Sequence, residues 1–257
     1  MRAGSFRLAV SGTYGSGKTT TSEALSVATG IPRTHALTAR EILRDLLPGK
    51  QLEELAAREL IMLGLRRLEE RIHHEAAQPG SFVSDGSVIH EWIYGEIRMQ
   101  VGINPGAGLV HRALNEVAGL PIKRFYRQYM GAYGRIVKDR AARLYDAYVH
   151  LPVEFPLKAD GHRPVSERFR TKSDELLLAT IDEIEVPYLI VRGTVEKRVH
   201  TIVEAFNLPL VVPVDEAVAV AVHRVSAASA VLESDAREHA ARRATSPWRR
   251  VKHALRY

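Results

Sequence analysis

Cysteine is absent from this chain. That excludes disulfides, thiolate nucleophiles and cysteine-ligated zinc together, and it suits a reducing compartment such as the cytoplasm. Long apolar runs are lacking too. The most apolar stretch, Leu208 to Val222, is interrupted by Pro209, Pro213, Asp215 and Glu216, so no membrane span is expected. The first residues lead straight into a strand-like run, so no cleavable leader is expected. No internal repeat or low-complexity linker is evident. Neither sign of charge dominates: 36 Lys and Arg stand against 30 Asp and Glu, a formal +6 over 257 residues. The surplus suits anionic partners such as nucleotides, although solubility alone accounts for it. The length suffices for one α/β domain with a full core.

What the chain does have is Gly12-Thr13-Tyr14-Gly15-Ser16-Gly17-Lys18-Thr19, a G-x-x-x-x-G-K-T phosphate-binding loop followed by Thr20. Phe6 to Ser11 before it fits a buried strand. Thr20 to Ala28 after it fits a helix ending at Gly30. The motif therefore sits between a strand and a helix N-terminus, where its physics requires it. Glycines let successive N–H groups turn around a polyphosphate, and the helix dipole adds positive potential. Lys18 is placed to reach the β- and γ-phosphates of ATP or GTP, and the Thr19 hydroxyl to ligate Mg²⁺.

A second acidic signal follows. Pro79-Gly80 ends a long helical pattern that runs from Gln51 to Gln78, in which Leu52, Leu55, Leu60, Leu63 and Leu68 mark a core face that Met62 and Leu65 widen. His73 and His74 near its end lack partners at ligand spacing, so no metal is expected there. Ser81 to Asp85 then reads as a short strand ending in an acid. An Asp at that place can hold Mg²⁺ through water or take a proton from an acceptor hydroxyl. Gly86 permits the turn and Ser87 can cap the next helix. Glu91 lies about a turn and a half further on and can face the same cleft. Trp92 and Tyr94 either stack on a planar substrate or fill the core. Asp85 is followed by Gly86 and not by a second acid, which points away from water-activating ATPases and towards transfer onto an ordered acceptor.

The remaining pattern is an alternation of strands and helices. Ile31 to Thr34 reads as a short strand, and Thr38-Ala39-Arg40-Glu41 has capping-box form, opening a helix through Leu47 that Pro48-Gly49 stops. A loop is expected over 102–108. Helices are expected over 110–115 and 122–144, the second with a break near Gly131 or Gly134. Lys123, Arg124 and Arg127 lie there among Tyr126, Tyr129, Tyr133 and Tyr145. Such a mixture can bind single-stranded nucleic acid, but a solvated basic face is the plainer account. Asp146 to Pro152 reads as a strand. Glu154 to Lys172, with Arg163, Arg168 and Arg170, reads as a mobile lid that supplies cations to the transferring phosphate. A helix from Asp174 to Glu185, a last central strand from Pro187 to Arg192 and a helix from Val195 to Phe206 complete the domain. Gly193 and Thr194, at the turn between the last two, are candidates for the adenine edge. Residues 1–210 form the expected P-loop domain, and 211–257 a helical, basic C-terminal extension.

Four stretches resemble the nucleoside-kinase-like P-loop proteins, and within them the ribosylnicotinamide-kinase-like (NadR-type) AAA domain family. They are Gly12 to Thr20, Phe82 to Gly86, Asp160-Gly161-His162-Arg163 with Arg168 beyond it, and Gly193 to Arg198. The resemblance implies a three-layer α/β fold with a parallel sheet of order 2-3-1-4-5, and ATP- or GTP-Mg²⁺ binding. It further implies transfer of the γ-phosphate to a hydroxyl of a small, nucleoside-like acceptor. The catalytic set expected on this reading is Lys18, Asp85, Glu91, Arg163 and Arg168, with Thr19 and Asp85 on the metal. Two other readings stand beside it: a nucleotide-dependent regulatory switch, and a kinase acting on nucleic acid, the less favoured partner.

Overall fold

The computed structural model describes residues 4–47, 50, 55, 57–101, 120–154 and 167–244. Among them, five parallel strands form one sheet of order β2-β3-β1-β4-β5. These are β1 (Arg7–Ser11), β2 (Arg33–Thr34), β3 (Phe82–Asp85), β4 (Ala147–His150) and β5 (Tyr188–Ile190). The helices between and after them are α1 (Lys18–Thr29), α2 (Ala39–Leu46), α3 (Ala57–Ala76), α4 (Val88–Val101), α5 (Leu120–Leu144), α6 (Glu167–Glu183), α7 (Val195–Phe206) and α8 (Val214–Ala244).

The three inner strands are apolar and β-rich, as strands covered on both faces must be. Their period of two sends alternate side chains to opposite layers. Ala9, Phe82 and Tyr148 join Ile89, Ile93, Val137 and Ile181 on one face, under α4, α5 and α6. Leu8, Val10, Val83 and Val149 join Leu25, Ile202 and Ala217 on the other, under α1, α7 and α8. Ala24 and Ala28 of α1 share that layer with Ala217 and Ala221 of α8, small residues that let two helices approach closely. The register sets Val10 against Asp85 and Ser11 against His150. The carboxyl ends of β1, β3 and β4 therefore come together, which is where parallel α/β sheets place their ligands.

Local rules account for most boundaries. Gly30, at φ 69°, caps α1 by donating its N–H to Ser26 O. Thr38 and Glu41 form the expected capping box on α2. The structure departs from expectation in several places. Met62 and Leu65 are 41% and 46% exposed, so the core face of α3 is narrower than its leucine content suggests. α5 runs unbroken past Gly131 and Gly134. β5 is an edge strand and not a central one. α6 begins at Glu167, so the last six residues of the expected lid are helical. Trp92 is a core residue that donates its indole N–H to Met130 O at 2.9 Å. The expected loop at 102–108 and helix at 110–115 lie outside the described residues, as does the basic tail beyond Ala244. Among the described residues no helix is long and apolar enough to cross a membrane.

The glycines of the α4–α5 contact give a test. A methyl group at Gly134 would lie 2.8 Å from the Trp92 ring, which its own hydrogen bond holds in place. A methyl at Gly95 would meet the flexible end of Met130. Gly134→Ala should therefore destabilise by roughly 1–3 kcal/mol despite its better helix propensity. Gly95→Ala should fall within about 1 kcal/mol of wild type, because the thioether can move. Urea unfolding of the two variants measures both, and equal effects would contradict this packing.

Candidate functional site

β1 ends at Ser11 and the chain enters a loop whose glycines are conformationally required. Gly12, Gly15 and Gly17 have φ of 138°, 74° and 88°. A Cβ on Gly12 would lie 2.5 Å from Leu151 O. Gly17 is the N-cap of α1, and no acid occupies the first turn, so the positive end of the helix remains available to an anion. Lys18 folds back over the loop and donates from Nζ to Thr13 O at 2.7 Å. Two further cations hold the loop from outside: Arg170 Nε donates to Tyr14 O at 3.0 Å and Arg198 Nη1 to Ser16 O at 2.7 Å.

Asp85 stands beside this loop, at the end of β3. Arg33 on β2 donates to its Oδ2 at 2.7 Å, while also reaching Glu23 at 3.2 Å and Ser22 Oγ at 3.0 Å. Burial disfavours charge on Asp85. The Arg33 and Lys18 charges and hydrogen bonds from Arg33 and Thr19 outweigh it and lower its pKa below the ordinary 3.8. Asp85 is therefore an ionised carboxylate beside the Thr19 hydroxyl. A hydroxyl and a carboxylate are the hard oxygen donors that Mg²⁺ prefers, so Thr19 and Asp85 fit the ion. The Asp85 backbone is fixed as well: Arg71 donates to its carbonyl at 3.1 Å and to Ser84 Oγ at 3.2 Å. Arg71 also lies against Gly86, whose φ is 86°. Behind it, buried Glu75 accepts from Ser84, Tyr145 and Arg140.

Glu91 lies on α4, the helix that follows the Asp85 strand end. It forms an ion pair with Arg67 of α3 at 2.8 Å, both side chains being largely buried. Burial works against the Arg67 charge, but Glu91, with Tyr14 and Tyr94, raises its pKa. Glu91 Oε1 is buried without a hydrogen-bond partner among the described residues. Tyr94 stacks on Tyr14 with ring centroids 4.5 Å apart and planes 17° apart, and Phe169 of α6 adjoins both rings. Burial pushes the Tyr94 hydroxyl well above its usual pKa, so it is a neutral donor. On the first turn of α4, the expected Ser87 cap is reversed: the Ser87 N–H donates to His90 Nδ1 at 2.9 Å. Burial then holds His90 neutral, far below its usual pKa.

The sequence-predicted residues thus divide. Gly12 to Thr20 and Asp85 come together, and Glu91 lies next to Tyr14. Gly193, at φ 96°, and Thr194 form the turn into α7, whose N–H groups are held by Glu154 and by the Thr194 cap. Arg168 is exposed on α6, and Arg163 lies outside the described residues. Arg170, expected on the γ-phosphate, instead has its guanidinium at the P-loop backbone. Sequence reasoning missed Arg33, Arg67, Arg71, Glu154 and Arg198. A signal was present for two of them: Arg71 and Arg198 fall at i+3 and i−4 from the buried Leu68 and Ile202, so each is a charged residue on an apolar helix face.

A sequence model described as an AAA domain matches residues 7–198. No curated protein matches the chain. Among solved structures, the deoxyadenosine kinase from M. mycoides with bound dATP is similar at TM-score 0.54 and 14% identity, covering 79% of this chain and 100% of that one. The NadR protein in complex with NR is similar at TM-score 0.54 and 16% identity, covering 80% of this chain and 53% of that one. At these identities the likeness establishes the fold.

The charge state of Asp85 leads to a stability test. Its folded pKa is depressed, so its contribution is complete above the unfolded value and is lost as pH falls through the folded one. At neutral pH Asp85→Asn should cost roughly 1–3 kcal/mol, with Glu23 still partnering Arg33. The gap between variant and wild type should begin to narrow as pH falls below about 4. Melting temperatures from pH 3 to 7 measure it, and a gap that does not change with pH would contradict an ionised, paired Asp85.

Proposed function

The chain belongs to the AAA domain family, and from that premise we propose that it is an ATP-Mg²⁺-dependent kinase acting on a hydroxyl of a small, nucleoside-like acceptor. One observation carries the reading. The ionised Asp85, held by Arg33 and touching Thr19, stands beside the P-loop and near a chemically different, largely buried cluster of Arg67, Glu91, Tyr14 and Tyr94. A simple nucleotide switch needs the first of these and has no use for the second.

The assigned roles follow the chemistry of each group. P-loop amides and Lys18 bind the phosphates, and Thr19 with Asp85 holds Mg²⁺, which supplies charge neutralisation on the transferring group. Asp85 orients or deprotonates the acceptor hydroxyl. Glu91 accepts a hydrogen bond from the acceptor through its unpaired Oε1, and Arg67 keeps that carboxylate charged. The half-buried ring of Tyr14, backed by Tyr94, suits a planar ring. Gly193 and Thr194 border the adenine, and Arg163 or Arg168 covers the γ-phosphate. Rate acceleration comes mainly from placement and preset charge.

Screening nucleosides, nucleotides, sugars and oligonucleotides with labelled ATP tests the proposal; transfer to a nucleoside is expected, and nucleotide hydrolysis without any transfer would favour a switch. Lys18→Ala should abolish transfer while the fold survives. Asp85→Asn should lower kcat by roughly 10²–10⁴-fold. Glu91→Gln should raise the KM of the acceptor with little change in that of ATP. If the Gln variant is instead dead at saturating acceptor and the Asn variant active, Glu91 is the base.

A further inference from the structure

The two largest fully buried side chains of the described residues are arginines, Arg170 at 0% and Arg198 at 1% exposure. Fully burying a guanidinium is costly unless its donors are satisfied and its charge is paired. The charge of each is paired with an acid in the same way. Arg198 gives Nη1 to Ser16 O and Nη2 to Glu154 Oε2, each at 2.7 Å. Arg170 gives Nε to Tyr14 O at 3.0 Å and Nη1 to the two Glu167 oxygens at 2.9 and 3.1 Å. Each arginine is held by an acid and in turn holds one P-loop carbonyl.

A trans peptide fixes what such a contact does. The C=O and the following N–H of one planar unit point in opposite directions, and the described chain has no cis peptide bond. Pulling Ser16 O towards Arg198 turns the Gly17 N–H away from it. Pulling Tyr14 O towards Arg170 does the same for the Gly15 N–H. The glycines at 15 and 17 adopt left-handed φ, which allows this alternation. A Cβ on Gly17 would lie 2.9 Å from Arg198 Nη1, so the guanidinium is packed directly against the loop.

We infer that Arg170 and Arg198 are positioning residues that preset the P-loop amides for a polyphosphate without touching it. They act through the backbone carbonyls of Tyr14 and Ser16. The inference rests on reading residues 12–19 as a polyphosphate site, and not on phosphoryl transfer. Charge alone is a different role, and lysine separates the two. Arg170→Lys and Arg198→Lys keep the cation but lose the planar fork that reaches a carbonyl and an acid together.

The test is tripolyphosphate and ADP binding by calorimetry, with the ¹⁵N–¹H signals of Gly15 and Gly17 followed in the same titrations. Wild type should bind, with large shifts at both glycines. Each lysine variant should bind roughly 10- to 100-fold more weakly, the loss of a hydrogen bond to a charged group. The shift at Gly15 should be lost with Arg170→Lys, and that at Gly17 with Arg198→Lys. Should Arg198→Lys fail to fold, Glu154→Gln leaves the arginine in place with a weaker anchor and should weaken tripolyphosphate binding in the same direction, while Arg170→Lys tests the other contact. Folded lysine variants that bind as wild type does, with unchanged glycine shifts, would overturn the inference alone. A wild type that binds neither ligand would overturn the polyphosphate reading and the inference with it.

Discussion

A loop that turns its amide N–H groups inward must turn its carbonyls outward. In a buried setting those carbonyls need donors, because an unpaired one costs about as much as a lost hydrogen bond. Three cations meet this demand here, Lys18 at Thr13, Arg170 at Tyr14 and Arg198 at Ser16. They come from three different helices, so the constraint reaches well beyond the loop. α6 and α7 must each present a buried arginine at the right height. The chain leaving β4 must bring Glu154 to Arg198 and to the Gly193 turn.

The site then rests on keeping two carboxylates in distinct surroundings. Asp85 lies among Arg33, Lys18 and Thr19 and remains charged despite burial. Glu91 is paired with Arg67 next to a tyrosine stack. Neither arrangement depends on a single element, since Arg33 comes from β2 and Arg67 from α3. The carboxylates themselves sit at the end of β3 and on the helix that follows it. Arg71 and Glu75, on the same helix as Arg67, fix the intervening Ser84 and Asp85 backbone. α3 thus contributes a row of charged residues to the layer beneath the acid.

Much of this architecture was legible in the sequence because it follows from local rules. A strand, a glycine loop and a helix announce the P-loop, Gly30 and the Thr38–Glu41 box announce helix ends, and Asp85 at a strand end announces the second motif. The misses arose where tertiary context decides. Polar, arginine-rich residues up to Lys172 read as a loop, yet Phe169, Ser173 and Leu177 share a buried face at helical spacing and carry α6 back to Glu167. Gly131 and Gly134 suggested a break in α5, but Gly134 is small to make room for Trp92. The arginines that build the site were hidden because a guanidinium on an apolar face is unfavourable until its partner, remote in sequence, is known. Arg198 and Ser16 are 182 residues apart.

The sheet ends on very short strands, two residues in β2 on one side and three in β5 on the other. An edge strand exposes unpaired N–H and C=O groups that another chain can add to, and short edges offer little length for such pairing. The long apolar strands, β1, β3 and β4, are all interior. A parallel sheet of this kind assembles from distant segments and is vulnerable to intermolecular strand pairing until it is complete. Confining the strongest strand formers to the centre and ending the sheet almost at once on either side limits that exposure in the finished molecule. The same arrangement that gathers the carboxyl ends of β1, β3 and β4 at the middle thus leaves only short edges to the described sheet.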